Sequence, residues 1–141
     1  MSKKNRLLVP VDGSRQSLRA LAHVISRVAT GSQLQLVVVN VQPPLPPSLF
    51  VSRAMIARYQ ERHGETALKR ARGILLRRHM TAEFLLRIGE PAEMIVKTAR
   101  QAGCSEIIMG SRGLGSLKGL FLGSVTTKVI HAARVPVTIV P

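Results

Sequence analysis

The chain has 141 residues, of which 45% are hydrophobic and 20% charged, so it has enough apolar material for a core and cannot be wholly disordered. Its length suits one domain, and we expect residues 1–141 to form it. The 21 Lys and Arg against 7 Asp and Glu give a formal charge of +14, which favours polyanionic partners. No apolar run is long enough to span a bilayer, and the apolar run after the basic N-terminal residues is too short for a secretory signal peptide. A single cysteine excludes an internal disulfide. We therefore expect a cytoplasmic protein with no membrane partner.

Apolar periodicity alternates between strand and helix along the chain. It predicts strands at 6–11, 33–41, 81–88, 106–109 and 135–140, and helices at 14–31, 52–79, 91–103 and 124–133. Ser14 is the predicted N-cap of the first helix, and four prolines predict an extended loop over 42–50. The pattern predicts an α/β fold with an open five-stranded parallel sheet flanked by four helices. Pro136 places the last strand at the sheet edge.

The helix predicted at 52–79 is strongly basic. Arg58, Arg62, Lys69 and Arg72 fall near one face, whereas the inner side is assigned to Ile56, Tyr59, Ala67, Ala71 and Ile74. The basic face is either a solvated helix surface or a patch for nucleic acid or an acidic protein partner. Aromatic residues that could stack on bases are scarce, which favours the solvated surface.

Two loops at the carboxyl ends of predicted strands carry residues suited to binding. Asp12 is the only acidic residue in the first sixty, and its carboxylate could accept hydrogen bonds from a ribose hydroxyl or cap the following helix. The loop 110–123 has five glycines directly before a helix, so that backbone N–H groups could approach an anion. Arg112 and Lys118 supply cations there, and the hydroxyls of Ser124 and Thr126 could donate to phosphate; the glycines could equally serve turn geometry alone.

Two nucleotide-binding motifs are excluded by spacing. No Gly-Lys pair precedes Ser or Thr, as a P-loop requires. The Gly-x-Gly at 113–115 follows the fourth strand rather than the first, and Lys118 stands where the third glycine of a dinucleotide fingerprint belongs.

The chain resembles the universal stress protein family throughout its length. The resemblance lies in Val9-Pro10-Val11-Asp12-Gly13-Ser14, Gly89-Glu90-Pro91, the segment 107–113, Gly123-Ser124-Val125 and the ending 135–140. Gly110, Gly113, Gly123 and Ser124 follow the spacing G-x2-G-x9-G-[ST], which marks the ATP-binding branch of that family. The implied fold is Rossmann-like, of the adenine nucleotide alpha hydrolase type.

The resemblance also implies a set of nucleotide contacts. Asp12, beside Pro10 and Val11, would hold the ribose or adenine end, and Val41 would line the adenine pocket. Met109, Gly110 and Gly113 would lie along the ribose and α-phosphate. The β- and γ-phosphates, with Mg²⁺ or Mn²⁺, would lie on Gly123, Ser124, Val125 and Thr126. The family's homodimer pairs the last strands, here residues 135–140.

The expected function is that of an ATP-binding, nucleotide-responsive regulatory homodimer in a stress response. The alternatives are a binder of nucleic acid or an acidic partner through the helix at 52–79, and a slow ATPase. No catalytic residues and no metal cluster of the chain's own are predicted: Glu106 lies at the far end of its strand, and His23 and His63 are assigned to or near the core. Cys104 is interpreted as a buried structural thiol, with a redox thiol as the alternative.

Overall fold

The computed structural model describes residues 5–28, 33–112 and 122–141. Within these ranges five strands alternate with four helices. In chain order they are β1 (Asn5–Pro10), α1 (Arg15–Val28), β2 (Leu34–Gln42), α2 (Arg53–Arg77), β3 (Glu83–Ile88), α3 (Pro91–Gln101), β4 (Glu106–Gly110), α4 (Ser124–Ala132) and β5 (Val137–Val140). All neighbouring strands are parallel, in the order β3-β2-β1-β4-β5. The predicted fold class and the edge position of the last strand are confirmed.

The sheet is covered on both faces because its strands are apolar on both sides. Leu7 and Val9 face α1 and α2, which contribute Leu21 and Leu68 to the same buried cluster. Leu8 and the other alternate strand residues face α3 and α4. The run from Leu36 to Asn40 is buried without interruption, as a central parallel strand requires.

The predicted start of the last strand differs from the structure for a local reason. β5 begins at Val137 rather than at residue 135, because Pro136 has no N–H to donate and adds only its carbonyl, which accepts from the Ile107 N–H. The end of the first helix, predicted at Gly31, lies outside the described residues.

The inner face of α2 is rotated from the predicted one. Tyr59 is 52% exposed, and its predicted place is taken by Gln60 and Gly64, which lie one and two turns after Ile56. Gln60 is buried because its amide donates to the Pro43 carbonyl at 3.0 Å. The prediction for Tyr59 was therefore wrong, since the helix prefers a satisfied amide at the buried position.

The histidines assigned to the core are also on the surface. His23 is exposed on α1, and His63 is exposed on α2, where its ring lies 4.0 Å from that of Tyr59. Cys104 is buried, as predicted, and burial raises the pKa of its thiol. No helix among the described residues has the length and apolarity needed to cross a bilayer.

Candidate functional site

The strand order places a reversal of winding between β1 and β4. The chain runs outward from β1 through β2 to β3, and then returns to build β4 and β5 on the other side. At such a point the loops that follow the two central strands diverge and leave a crevice at the carboxyl edge of the sheet. The segment 11–14 follows β1, and residues 111, 112, 122 and 123 are the described ends of the loop after β4, so the topology brings the ends of that loop to the same edge as the β1 turn.

The turn after β1 is fixed by hydrogen bonds on both sides. The Val11 N–H donates to the Val39 carbonyl at 2.8 Å, and the Asp12 Oδ1 accepts from the Ser14 N–H at 2.9 Å. Ser14 is the helix cap, because its Oγ accepts from the Ser17 N–H at 3.2 Å. Gly13 has a φ of +85°, a conformation that favours glycine. Asp12 therefore shapes the turn, and the capping role that the sequence left open belongs to Ser14.

Asn40 is a positioning residue of this turn that sequence reasoning missed. It is 2% exposed, its Nδ2 donates to the Val11 carbonyl at 2.8 Å, and its Oδ1 accepts from Gln42 Nε2 at 2.8 Å. Asn40, on β2, thus holds in place the backbone that precedes Asp12. The signal was an amide within an otherwise apolar buried strand, where an amide must be fully hydrogen-bonded.

The start of α4 is tied to the end of β4. The Gly123 N–H donates to the Ser111 carbonyl at 2.8 Å, and the Ser111 N–H donates to the Val140 carbonyl at 3.0 Å. The Thr126 hydroxyl donates to the Gly110 carbonyl at 3.1 Å. These bonds direct the amino end of α4 at the edge where β4 ends, beside the crevice.

The amino end of α4 differs from those of the other helices. Side chains of Ser14, Ser52 and Glu90 accept hydrogen bonds from the first turns of α1, α2 and α3. Gly123 is the N-cap of α4, and within residues 5–28, 33–112 and 122–141 no side chain caps this helix. Its first-turn N–H groups and the positive end of its dipole are suited to an anion.

The predicted site residues fall into three groups by exposure. Val11, Met109, Gly110, Gly123 and Thr126 are buried; Pro10, Asp12, Val41, Arg112 and Val125 are partly exposed; Ser124 is exposed. Gly113 lies outside the described residues, as does Lys118. Val41, Met109 and Val125 belong to the cluster on the α3 and α4 face, so this face would supply the apolar side of the crevice.

Two of the predicted phosphate contacts also have structural roles. The buried Thr126 hydroxyl donates to the Gly110 carbonyl and so holds α4 to the end of β4. A Cβ at Gly110 would lie 2.7 Å from the backbone carbon of Gln16, so glycine is needed there for the approach of α1. A variant at Gly110 would therefore report packing rather than binding.

The ionisable groups with shifted pKa values are remote from the crevice. Hydrogen bonds from Arg27 at 2.9 and 3.0 Å lower the pKa of Glu106, which lies at the amino end of β4, roughly 13 Å of strand from Gly110. A cavity of about 200 Å³ between Arg6, Glu83, Arg87 and Thr98 also lies toward the amino ends of the strands. Among the described residues no three His, Cys, Asp or Glu side chains are grouped as a metal site.

Comparison with known proteins agrees with the fold. Residues 4–141 match the model of the universal stress protein family. A universal stress protein of Thermus aquaticus is 35% identical and the universal stress protein YxiE of Bacillus subtilis is 32% identical, with 95% and 96% of this chain and 96% and 98% of theirs aligned. A solved universal stress protein in complex with cAMP has a TM-score of 0.74 and 25% identity, over 99% of each chain. The chain belongs to the universal stress protein family.

Proposed function

We propose that this chain binds ATP in the crevice between the carboxyl ends of β1 and β4, with the phosphates at the amino end of α4. The observation that carries the proposal is the start of α4, which has no side-chain cap among the described residues and is held by hydrogen bonds beside this crevice. Backbone N–H groups in such a position bind phosphate oxygens without a lysine-containing loop. The cAMP complex of the related protein supports an adenine nucleotide as the ligand class.

The other end of the nucleotide would lie on the β1 turn. Asp12 is partly exposed at the strand end, and its turn is held rigid by Ser14 and Asn40. A carboxylate in this position would accept hydrogen bonds from the ribose hydroxyls. Val41, on the α3 and α4 face, would supply apolar contact for the base, and Met109 would lie along the ribose and α-phosphate. Gly113 would complete the phosphate side, as the family spacing implies, and Arg112 would supply a cation there.

A divalent cation would enter with the nucleotide. Because the described residues offer no grouped ligands, Mg²⁺ or Mn²⁺ would be held mainly by phosphate oxygens. When bound, the cation would neutralise phosphate charge. The chain's own contribution would be the glycine and helix backbone that orients the phosphates.

Ser124→Pro tests the phosphate contact by removing one backbone N–H donor at the start of α4. Ser124 is the first residue of α4, where proline is tolerated, and Gly123 already has the extended backbone (φ −73°, ψ 164°) that a following proline needs. Pro91 shows that this chain starts another helix in the same way. The variant removes the N–H of residue 124, and we expect ATP affinity to fall about tenfold or more, because a hydrogen bond to a charged group is lost.

The matched control is Ser124→Ala, which removes the hydroxyl but keeps the N–H. Ser124→Ala should retain most of the affinity, and both variants should unfold near the wild-type temperature. Equal ATP affinity in Ser124→Pro and wild type, measured by titration calorimetry, would contradict phosphate binding at α4.

Asp12→Asn separates ribose binding from turn formation. Asparagine keeps the Oδ1 that accepts from the Ser14 N–H, so stability should change little, whereas the carboxylate charge is lost. Weaker binding of ATP at unchanged stability is the expected result. An unchanged affinity would remove Asp12 from the site.

We further propose that nucleotide state regulates a cytoplasmic homodimer paired through β5 in a stress response. The supporting observation is that β5 lies at the edge of the sheet, where its outer backbone groups could pair with a second copy.

A further inference from the structure

The loop between β2 and α2 displays apolar side chains on the surface. Leu49 is 99% exposed and Phe50 is 89% exposed, and Leu45, Val51 and Met55 are 42%, 38% and 51% exposed. A contiguous set of this kind on a soluble domain indicates an interaction surface, because its exposure to water is unfavourable. We call residues 45–51 the apolar tip. It plays no part in the proposed nucleotide site.

The apolar tip is shaped by hydrogen bonds rather than left as an open coil. Pro43, Pro44, Pro46 and Pro47 favour an extended backbone, and the buried Gln60 amide holds the Pro43 carbonyl at 3.0 Å. The Ser48 N–H donates to the Val51 carbonyl at 3.0 Å, and the Ser48 Oγ accepts from the Phe50 N–H at 3.3 Å. This turn holds Leu49 and Phe50 outward.

Positive charge follows the apolar tip along α2. Between residues 13 and 60 the sequence contains no Asp or Glu. On α2, Arg58, Arg62 and Lys69 are exposed, and they share one outward stripe with the half-exposed Met55 at spacings of three, four and seven residues. Two acids also lie on this part of α2: Glu61 is exposed, and Glu65 is paired with Arg72 at 2.6 Å.

We propose that the apolar tip and the outward stripe of α2 together bind the surface of an anionic lipid bilayer. Leu49 and Phe50 would enter the headgroup region, while Arg58, Arg62 and Lys69 would lie on the lipid phosphates. This attachment is peripheral and needs no spanning segment, although the sequence led us to expect no membrane partner.

The combination of charges and apolar groups favours a bilayer over other occupants. A second copy of the chain would bring the same positive charges face to face, which is unfavourable. A nucleic acid would pair with the cations but would leave the aliphatic Leu49 and Leu45 without a partner. A bilayer with acidic headgroups satisfies both parts of the surface.

Vesicle co-sedimentation of the full chain tests the proposal directly. The vesicles are phosphatidylcholine alone or with about 30% phosphatidylserine, at about 0.1 M salt. We expect at least tenfold tighter binding to the anionic vesicles, because each cation at the surface contributes roughly a factor of five. Equal binding to both vesicle types, or no binding, would overturn the proposal.

Paired variants separate insertion from charge attraction. The double change Leu49→Ser and Phe50→Ser should weaken binding about tenfold or more, whereas Leu76→Ser, at an exposed apolar position near the end of α2, should not. Arg58→Glu with Arg62→Glu should abolish binding, and Lys97→Glu with Arg100→Glu on α3 should weaken it far less at the same net charge. All these positions are exposed, and circular dichroism would verify that each variant folds.

Two results would assign the surface differently. If the Leu49 and Phe50 variant binds like wild type, adsorption is by charge alone and the bilayer proposal is wrong. If a single-stranded RNA oligonucleotide displaces the protein from vesicles and binds unchanged after Leu49→Ser, the surface is a nucleic-acid site.

Discussion

Glu106 ties the amino end of β4 to two other elements. Its carboxylate accepts hydrogen bonds from Arg27 on α1 at 2.9 and 3.0 Å and from the Thr138 hydroxyl on β5 at 2.6 Å. The hydrogen bonds from Arg27 lower its pKa below the ordinary value of 4.5. The pair therefore contributes stability that is present above the unfolded-state pKa and is lost as pH falls through the lower folded-state pKa.

Glu106→Gln should lower the free energy of unfolding at neutral pH, and its difference from wild type should shrink below about pH 4.5 as the wild-type carboxylate is protonated. Urea unfolding from neutral to acidic pH measures this. Glu61→Gln, at an exposed position on α2, is the control and should match wild type. A Glu106→Gln difference that stays constant with pH would contradict the linkage.

The sequence predicted some residues of the candidate site and missed others. Asp12 was found because it is the only acid near the first strand end. Asn40 was not singled out, because only the fold shows that its amide reaches the Val11 carbonyl, 29 positions away in sequence. The structural role of the Thr126 hydroxyl was not predicted, because its partner, the Gly110 carbonyl, is a backbone group that spacing does not reveal.

The packing of α2 on β3 depends on one of its two glycines. A Cβ at Gly64 would lie 2.3 Å from the Cδ1 of Leu86, whereas a Cβ at Gly73 would meet nothing within 4 Å. Gly73→Ala should therefore stabilise the protein by about 0.5–1 kcal/mol through helix propensity. Gly64→Ala should destabilise it by about 1 kcal/mol or more through overpacking.

Chemical denaturation of the two alanine variants measures both effects in the same helix. If Gly64→Ala is as stable as Gly73→Ala, Leu86 can move away freely and the close approach is not a constraint. The two glycines look alike in the sequence, since both interrupt a helical pattern.

The order of strands and helices was predictable from the sequence. Which face of a helix packs inward was less predictable. The alternation of strand and helix periods, with Ser14, Ser52 and Pro91 at helix starts, is a local property of the chain. The inward position of Gln60 instead of Tyr59 depends on a carbonyl in the preceding loop. Such contacts between elements are decided by the packed structure.

Assembly of the whole molecule can be tested at β5. The Pro136 carbonyl accepts from Ile107 on β4, and the Val140 carbonyl accepts from Ser111 directly after β4. The alternating pattern of a strand therefore turns the Ile139 N–H away from β4. Ile139→Pro should remove a hydrogen bond of the proposed dimer and leave the β4–β5 ladder intact. Light scattering should give twice the 15.4 kDa chain mass for wild type and a lower mass for the variant. A monomeric wild type, or a dimeric variant of unchanged affinity, would contradict pairing through β5.

Because of the net charge of the molecule, its nucleotide site has to be tested at high salt concentration. A charge of +14 attracts any polyanion at low salt, whereas at about 0.5 M NaCl the screening length falls to about 4 Å and contact with fixed donors dominates. A true site should retain ATP under these conditions.

The most direct measurement is equilibrium dialysis of ATP with nuclease-treated protein at high salt with Mg²⁺, with AMP and GTP as competitors. We expect saturable binding of one ATP per chain, poorly displaced by AMP or GTP and weakened in Ser124→Pro. Binding that disappears with salt, or that is the same in Ser124→Pro and wild type, would contradict an ATP site between β1 and β4.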